Sequence, residues 1–232
     1  MRRLKLVTLF SLPFLCLFFA DQVVINIVAR NENSHWRDFA SRYTDIASAW
    51  IWLPATIVLG LASFIVFRVS RDQSRKKFFG NIYYWALHFL LALLSTGLVA
   101  QIFKICAGRE RPCFPGAELR VWSFGLFRNG YLYSSFPSGH SQVIFCAASF
   151  IALLIPKLRL PAFFFAMAVA ATRVLVLKHF PSDVAAGMLI GVYGSWLSVQ
   201  FWSARIPIPI QLFSTNHPST ISLNAKEEDP AA

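Results

Sequence analysis

The chain has 232 residues, of which 56% are hydrophobic and 14% are charged. Because soluble domains carry about 25% charged residues, this composition excludes an ordinary soluble protein and favours a single-domain membrane protein. The formal net charge is +11, but the basic residues are dispersed between apolar segments and form no continuous face. The charge therefore argues against nucleic-acid binding and favours basic loops together with recognition of an anionic substrate.

Six apolar runs follow one another along the chain, each close to the roughly 20 residues that a hydrocarbon core requires. They cover residues 6–29, 46–67, 82–105, 138–155, 160–177 and 183–202. No small-residue cleavage site follows the first run, so we expect an uncleaved helix, with Asp21 an interfacial or hydrogen-bonded residue rather than a functional one. The sequence predicts an all-α polytopic protein with six transmembrane helices over residues 1–203 and a flexible cytoplasmic tail over 204–232.

The loops between these runs alternate between the two sides of the membrane. Six helices place both termini on one side, together with the basic loop 68–80 and the turn 156–159, and the positive-inside rule makes this side cytoplasmic. The other side receives the polar loop 30–45, the long loop 108–137 and the link 178–182. In a Gram-negative bacterium this is the periplasmic face of the inner membrane. Three groups of polar residues are predicted to lie on it.

The first polar group consists of Lys104 and Arg111, which is followed by Pro112. A spacing of seven residues is about two helical turns, so both bases face the same way if the third helix continues that far. Pro112 is expected to make Arg111 extended and to end the helix there. Cys106 and Cys113 flank this group and can form a disulfide in an oxidising compartment.

The second polar group is the start of the fourth run, Ser138-Gly139-His140 after Pro137. Ser138 is a good N-cap, and the first amides of the helix behind it are unpaired and form an anion site with the helix dipole. Gly139 lets an oxyanion approach the backbone, and His140 then stands beside it. The alternative is an ordinary capped helix start with an interfacial histidine.

The third polar group consists of Arg173, His179 and Asp183. Arg173 lies inside an apolar run, where an unpaired guanidinium costs at least about 2.5–3.5 kcal/mol. A bound phosphate would pair with it through bidentate hydrogen bonds, and the alternative is an arginine that snorkels to the interface. Asp183 follows His179 by four residues and is predicted to accept a hydrogen bond from one ring nitrogen, leaving the other free to attack.

These three groups supply what phosphate hydrolysis needs, namely a nucleophile, an acid for the leaving oxygen and positive charge around the remaining oxygens. His179 is the candidate nucleophile, Asp183 its orienting residue and His140 the acid. The residues predicted to hold the phosphate oxygens are Lys104, Arg111, Ser138, Gly139 and Arg173. The sequence contains no Cys, His and carboxylate cluster typical of a metal site, so a reaction without metal or other cofactor is predicted.

The order and internal spacing of the three groups resemble the three-part signature of the type 2 phosphatidic acid phosphatase (PAP2) superfamily. The resemblance covers about residues 6–203 and implies a PAP2-type helical bundle with a phosphohistidine intermediate on His179. It also implies protonation of the leaving group by His140 and no metal requirement. One departure is Thr172, where the family commonly has serine before the arginine; the hydroxyl is kept, so little loss is expected.

The substrate implied by the resemblance is a phospholipid or lipid A, and the chain looks most similar to bacterial lipid A phosphatases. Alternatives within the superfamily are phosphatidylglycerophosphate, undecaprenyl pyrophosphate and phosphatidate phosphatases. Arg109, Arg120 and Arg128 are further candidate substrate contacts, the last two for a second phosphate or a sugar acid, although all three also fit solvated loop charges. A different class, a non-enzymatic anion carrier or lipid-binding membrane protein, would explain Arg173 but not the two histidines. The sequence leaves the oligomeric state open.

Overall fold

The computed structural model of the protein describes residues 19–30, 35–113, 121–128 and 130–208, and its regular structure in these ranges is entirely helical. Residues 19–30 form α1, and the further helices are α2 (His35–Tyr43), α3 (Ala49–Val69), α4 (Gln73–Ala107), α5 (Gly139–Leu154), α6 (Arg159–Leu175) and α7 (Pro181–Ser203). Short 3-10 turns lie at Thr44–Ala47, Tyr131–Tyr133 and Pro156–Leu158. For these ranges, the prediction of an all-α protein is confirmed.

Four helical segments in the described ranges are long and apolar enough to cross a membrane. They are His35–Val69, Gln73–Ala107, Pro156–Leu175 and Pro181–Ser203. Helix α5 is apolar but has 16 residues, fewer than a span of about 20 requires. Residues 6–18 of the first predicted run and 209–232 of the predicted tail lie outside the described residues. The number of six transmembrane helices therefore stays a prediction, as does the boundary between the membrane domain (1–203) and the tail (204–232).

Two segments predicted as loops contain helix. The polar loop 30–45 includes α2, which packs against α6, and the start of the turn Thr44–Ala47. The basic loop 68–80 is mostly the beginning of α4, where the side chain of Asp72 accepts a hydrogen bond from Ser74 N at 3.1 Å as the N-cap. Lysine and arginine are good helix formers, so a helix that has left the apolar layer can continue through basic residues. Hydropathy marked only the apolar part of it.

The end of α4 also differs from the prediction. The helix ends at Ala107, and Gly108 takes a left-handed φ of 50° while its amide donates to Lys104 O at 3.0 Å. Glycine enters this conformation without the steric cost that a β-carbon brings, so the helix stops before Pro112 can end it. Arg111 therefore reaches the site from a loop and not from a continued helix.

Helices α5 and α7 pack closely, and this contact sets the position of the site. A β-carbon on Gly187 would collide with Ser138 O, and one on Gly191 would collide with Gln142 O. Small residues of this kind allow two membrane helices to approach until their backbones touch. As a result, Ser138 N donates to Asp183 O at 2.9 Å, and the beginnings of α5 and α7 lie side by side.

Candidate active site

Lys104 lies in the last turn of α4 and joins the first polar group to the second. Its Nζ donates to Ser134 O at 2.8 Å and to Pro137 O at 2.6 Å. Its Cε is also within 3.9 Å of the position that a β-carbon on Gly139 would occupy. An ammonium group has three donors, so one N–H remains for a ligand after these two hydrogen bonds.

Arg111 is buried and is held by backbone carbonyls of the surrounding loops. Its Nε donates to Tyr131 O at 2.8 Å, its Nη1 to Lys178 O at 3.2 Å and its Nη2 to Ser134 Oγ at 3.2 Å. The guanidinium lies 4.2 Å from the centre of the Tyr131 ring. Burial lowers the pKa of Arg111 from its ordinary value. None of these contacts is with a carboxylate, as expected for a residue that binds an anion.

Cys106 and Cys113, which flank this group, are both free thiols in the structure. The disulfide considered for them is therefore not formed, and the loop is held instead by the hydrogen bonds of Lys104 and Arg111.

Ser138 caps α5, as predicted. Its Oγ accepts from Ser141 N at 3.4 Å, and the peptide bond before Pro137 is cis. His140, two residues further, keeps 26% of its side chain exposed, and its Nε2 lies 3.8 Å from Asp45 Oδ1. The imidazole is therefore accessible from the same end of α5 at which the helix amides begin.

Arg173 is buried and points into the protein rather than to an interface. Its Nη1 donates to Thr44 Oγ1 at 2.7 Å, and its Nε has no hydrogen-bond partner among the described residues. The hydroxyl of Thr172 donates to Val169 O at 2.6 Å and lies 3.1 Å from Thr44 Oγ1. A buried guanidinium that is only partly paired is costly unless an anion completes its hydrogen bonds.

His179 is buried in the link between α6 and α7, and its hydrogen bond is not the one predicted. Its Nδ1 lies 2.7 Å from the carbonyl oxygen of Ser135 and 3.8 Å from Asp183 Oδ2, beyond hydrogen-bond distance. A carbonyl only accepts, so Nδ1 carries the proton and Nε2 keeps its lone pair. Burial, together with the nearby charges of Arg111 and Lys104, lowers the pKa of His179 to about 3. The ring is therefore neutral at neutral pH.

Asp183 is fully buried and is connected to His179 through Ser135. Its Oδ2 accepts from Ser135 Oγ at 2.6 Å and from Phe180 N at 2.8 Å, and its Oδ1 accepts from Arg109 Nη1 at 2.6 Å. Ser135 thus binds the carboxylate with its hydroxyl and the imidazole with its carbonyl. The predicted direct pairing of Asp183 with the ring is replaced by this indirect one.

The three further arginines have three different outcomes. Arg109 was predicted to contact substrate or lie in solvent, and both are wrong: it is completely buried and ion-paired with Asp183 and Asp21. Arg128 is half-exposed and paired with Glu110 at 3.0 Å. Arg120 lies outside the described residues.

Next to the site is a cleft of about 370 Å³. It is lined by Gln101, Lys104, Ile105, Arg128, Gly130 and Ser134. The cleft brings the half-exposed guanidinium of Arg128, which is paired with Glu110, to the same cavity as the ammonium of Lys104. In the described part of the chain, no group of three or more His, Cys, Asp and Glu residues is arranged to hold a metal ion.

Sequence reasoning missed Thr44, Asp45 and Ser135. Each is a single polar residue in a segment that was predicted to be a loop, where a hydroxyl or a carboxylate is ordinary. Asp21 gave a signal, since an acid inside an apolar run requires a partner, but it was assigned no functional role.

The sequence pattern of the PAP2 superfamily matches residues 85–207, more than half of the chain. The protein belongs to the PAP2 superfamily. This range includes all three polar groups and excludes α1, α2, all of α3 and the beginning of α4. The four apolar helical segments of the described ranges, which are long enough to cross a membrane, fit a membrane member of this superfamily.

Among curated relatives, the lipid A 1-phosphatase of Rhizobium johnstonii is 29% identical over 154 residues, which cover 66% of this chain and 60% of that protein. The undecaprenyl-diphosphatase of Sulfolobus acidocaldarius is 27% identical over 172 residues, covering 71% of this chain and 68% of that protein. The chain thus spans about three fifths of the length of the Rhizobium relative.

Two solved structures share the fold. Aquifex aeolicus LpxE superposes with a TM-score of 0.55 at 19% identity, covering 78% of this chain and 94% of that one. The PAP2-type phosphatidylglycerolphosphate phosphatase of Bacillus subtilis superposes with a TM-score of 0.57 at 22% identity, covering 86% and 97%. At these identities, the likeness supports the helical fold alone.

Proposed function

We propose that this PAP2 phosphatase removes a phosphate from lipid A at the periplasmic face of a bacterial inner membrane, through a phosphohistidine on His179. The observation that carries the mechanism is the state of His179, a buried neutral imidazole whose Nδ1 is bound to Ser135 O at 2.7 Å. Only Nε2 is then available to react. Histidine with one nitrogen engaged and the other basic is a competent nucleophile.

The reaction has two steps. In the first, Nε2 of His179 attacks phosphorus, the bond from phosphorus to the lipid oxygen breaks, and His140 gives its proton to that oxygen. In the second, a water molecule attacks the phosphohistidine, His140 takes a proton from the water, and inorganic phosphate leaves as Nε2 recovers its lone pair. Each bond that breaks is matched by one that forms, and His140 returns to its protonated form.

The charge that develops on the phosphate oxygens is stabilised by Lys104, Arg111 and Arg173. Lys104 keeps one donor and Arg173 keeps Nε after the contacts they make within the protein. The amides at the start of α5, behind Ser138 and Gly139, add donors that are fixed before the substrate arrives. No step requires a metal ion in this proposal.

Lipid A is favoured as substrate by two features. The Rhizobium relatives are named lipid A 1-phosphatases, and the cleft between Lys104 and Arg128 offers a second cationic position beside the site, as a bisphosphorylated headgroup requires. The second candidate substrates are undecaprenyl pyrophosphate and phosphatidylglycerophosphate, which are favoured by the Sulfolobus relative and the Bacillus structure.

The test is phosphate release by the purified protein from lipid A, phosphatidylglycerophosphate, undecaprenyl pyrophosphate and phosphatidate, in detergent with a chelator present. We expect release from lipid A by the wild type, none by His179→Ala, and wild-type turnover by Arg75→Ala, whose exposed side chain is remote from the site. Release only from another lipid would reject lipid A and keep the mechanism. Full activity of His179→Ala would reject the mechanism. Anion transport that survives this substitution, without phosphate release by the wild type, would favour a carrier.

A further inference from the structure

A buried ionic cluster lies behind the catalytic histidine. We call Asp21, Arg109, Ser182 and Asp183 the Asp21 cluster, and all four are 0% exposed. They come from α1, from the loop after α4 and from the start of α7. The proposed reaction uses Asp183 but does not need Asp21 or Arg109 to touch the substrate.

Arg109 is the centre of this cluster. Its Nη1 donates to Asp183 Oδ1 at 2.6 Å and to Ser182 Oγ at 2.8 Å, and its Nη2 donates to Asp21 Oδ2 at 2.8 Å. Val121 O accepts from the same guanidinium, from Nη2 at 2.9 Å. The planar fork of arginine can serve these acceptors at once, which a lysine ammonium cannot do with the same geometry.

Asp21 completes the cluster from the opposite side. Its Oδ1 accepts from Ser182 N at 2.9 Å, and its Oδ2 accepts from the Ser182 hydroxyl as well as from Arg109. The carboxylate therefore fixes both the guanidinium and the first turn of α7. Asp21 lies 161 residues from Ser182 and outside the range that the family pattern matches.

Two aromatic rings also lie against Arg109. Its Cζ lies 4.1 Å from the centre of the Phe180 ring and 5.1 Å from that of Phe124. With 0% of its surface exposed in the described structure, this guanidinium does not face the solvent from which a lipid phosphate would approach. The position of Arg109 is explained by its contact with Asp183. Arg109 binds Oδ1 of this carboxylate, whereas Ser135 and Phe180 N bind Oδ2.

We infer that Arg109, held in place by Asp21, is a positioning residue that fixes Asp183 and, through Ser135, the imidazole of His179. The contacts run from Arg109 to Asp183, from Asp183 to the Ser135 hydroxyl, and from the Ser135 carbonyl to His179 Nδ1. Through Asp21, α1 becomes part of the catalytic apparatus. This inference rests on the proposed function, because its measure is the chemistry at His179.

The charges of the cluster explain why Asp21 is needed. A buried arginine and a buried aspartate stabilise each other only when both keep their hydrogen bonds, and removal of one partner leaves the other charge unpaired. Asp21 supplies the second carboxylate for the fork, at Nη2, so that Arg109 does not have to turn towards another carbonyl. Loss of Asp21 is therefore expected to displace Arg109 and, with it, Asp183.

The test uses Arg109→Gln, Arg109→Lys, Asp21→Asn and Asp21→Glu in the full-length chain. The matched controls are Arg75→Gln and Asp72→Asn, which break an exposed ion pair at 3.7 Å on the first turn of α4. For each variant, kcat and KM are measured on the lipid that the wild type hydrolyses. Turnover is divided by the number of sites that bind orthovanadate, a phosphate analogue, so that unfolded protein does not lower it.

We expect Arg109→Gln to lower kcat per vanadate-binding site by roughly 100-fold and Asp21→Asn by roughly 10-fold, because small misplacement of a reacting group has effects of this size. KM should stay within about threefold of the wild type, since neither residue touches the substrate. Asp21→Glu should retain more turnover than Asp21→Asn, and both controls should be as active as the wild type.

Three results would overturn the inference. A raised KM with unchanged kcat in Arg109→Gln would make Arg109 a substrate contact. Unchanged kcat per site in both Arg109→Gln and Asp21→Asn would show that the cluster does not position His179. If the Arg109 variants do not fold, kcat per site of Asp21→Asn and Ser182→Ala tests the inference instead. If these two variants do not fold either, the cluster is a folding determinant and the positioning role is rejected.

Turnover of the wild type and of the variants distinguishes failure of this inference from failure of the proposed function. A wild-type protein that hydrolyses none of the lipids refutes both. An active wild type that loses turnover in His179→Ala, but keeps it in the Arg109 and Asp21 variants, refutes only the positioning role.

Discussion

The Nδ1 atom of His179 binds the main-chain carbonyl of Ser135 at 2.7 Å, whereas the carboxylate of Asp183 lies 3.8 Å away and binds the hydroxyl of the same serine. One residue thus connects the acid to the histidine through two different groups. The carbonyl cannot be removed by substitution, but the hydroxyl can. Substitution of Ser135 therefore removes the link to Asp183 while the carbonyl that fixes the tautomer of His179 remains.

Ser135→Ala should reduce kcat by roughly 10- to 100-fold, because loss of one buried hydrogen bond to a charged group costs about 1.5–3 kcal/mol when its effect reaches the transition state. Asp183→Asn should cost more, about 10³-fold, since it also breaks the ion pair with Arg109. The measurement is turnover of the purified variants. Ser203→Ala is the matched control, because Ser203 is an exposed serine at the end of α7. Equal turnover of Ser135→Ala and the wild type would contradict the indirect orientation of His179.

The lowered pKa of His179 predicts how stability depends on pH. The folded protein holds this ring neutral down to a pKa of about 3, whereas the unfolded chain protonates it near 6.5. Between these values the unfolded state binds more protons, so the stability contribution is complete above pH 6.5 and is lost as the pH falls towards 3. A single group adds a slope of at most ~1.4 kcal/mol per pH unit.

Thermal unfolding in detergent between pH 7 and pH 4 measures this slope. We expect the unfolding midpoint of the wild type to fall with pH, and that of His179→Gln to fall less steeply. Parallel curves for the two proteins would mean that His179 is not held neutral.

Substitution of Arg173 is expected to lower the affinity of the site for anions. Its Nε is buried without a partner among the described residues, so a bound phosphate would complete its hydrogen bonds. Arg173→Lys should weaken inhibition by orthovanadate roughly 10- to 100-fold, because the ammonium cannot reproduce a charge-assisted fork. Arg159→Lys, at the exposed start of the same helix, is the control and should bind vanadate as the wild type does. Thr44→Val should weaken inhibition by orthovanadate less than Arg173→Lys does. Unchanged vanadate affinity in both variants would contradict an anion site at Arg173.

The sequence alone predicted the apolar helices and the charged residue that lies inside one of them. A helix in a membrane has to be apolar, so the runs that became α3 to α7 were visible, and Arg173 stood out inside one of them. Lys104, His140 and His179 could be assigned to one face because helices alternate across the membrane. The structure brings these residues to the same end of α4, α5 and α6.

The connections behind the site could not be predicted in this way. Ser135 and Thr44 are ordinary hydroxyls in segments without periodic pattern. Arg109 and Asp21 are 88 residues apart, and only tertiary packing shows that they pair. The end of α4 was placed too late because Gly108, a left-handed terminator, precedes the more conspicuous Pro112.

Gly187 provides a test of the helix contact that holds the site together. A β-carbon there would collide with the main-chain oxygen of Ser138, and a backbone atom cannot turn aside as a flexible side chain can. Gly187→Ala should therefore destabilise the protein by about 1–3 kcal/mol, as overpacking does, and lower turnover because Ser138 and Asp183 are pushed apart.

Gly97→Ala on α4 is the matched control, since nothing lies within 4 Å of the β-carbon it would add. Alanine is the better helix former by about 1 kcal/mol, so this variant should be as stable as the wild type or more so. Thermal unfolding and phosphate release, measured on both variants, check the pair. A Gly187→Ala protein that matches Gly97→Ala in both measurements would show that α5 and α7 can separate without disturbing the site.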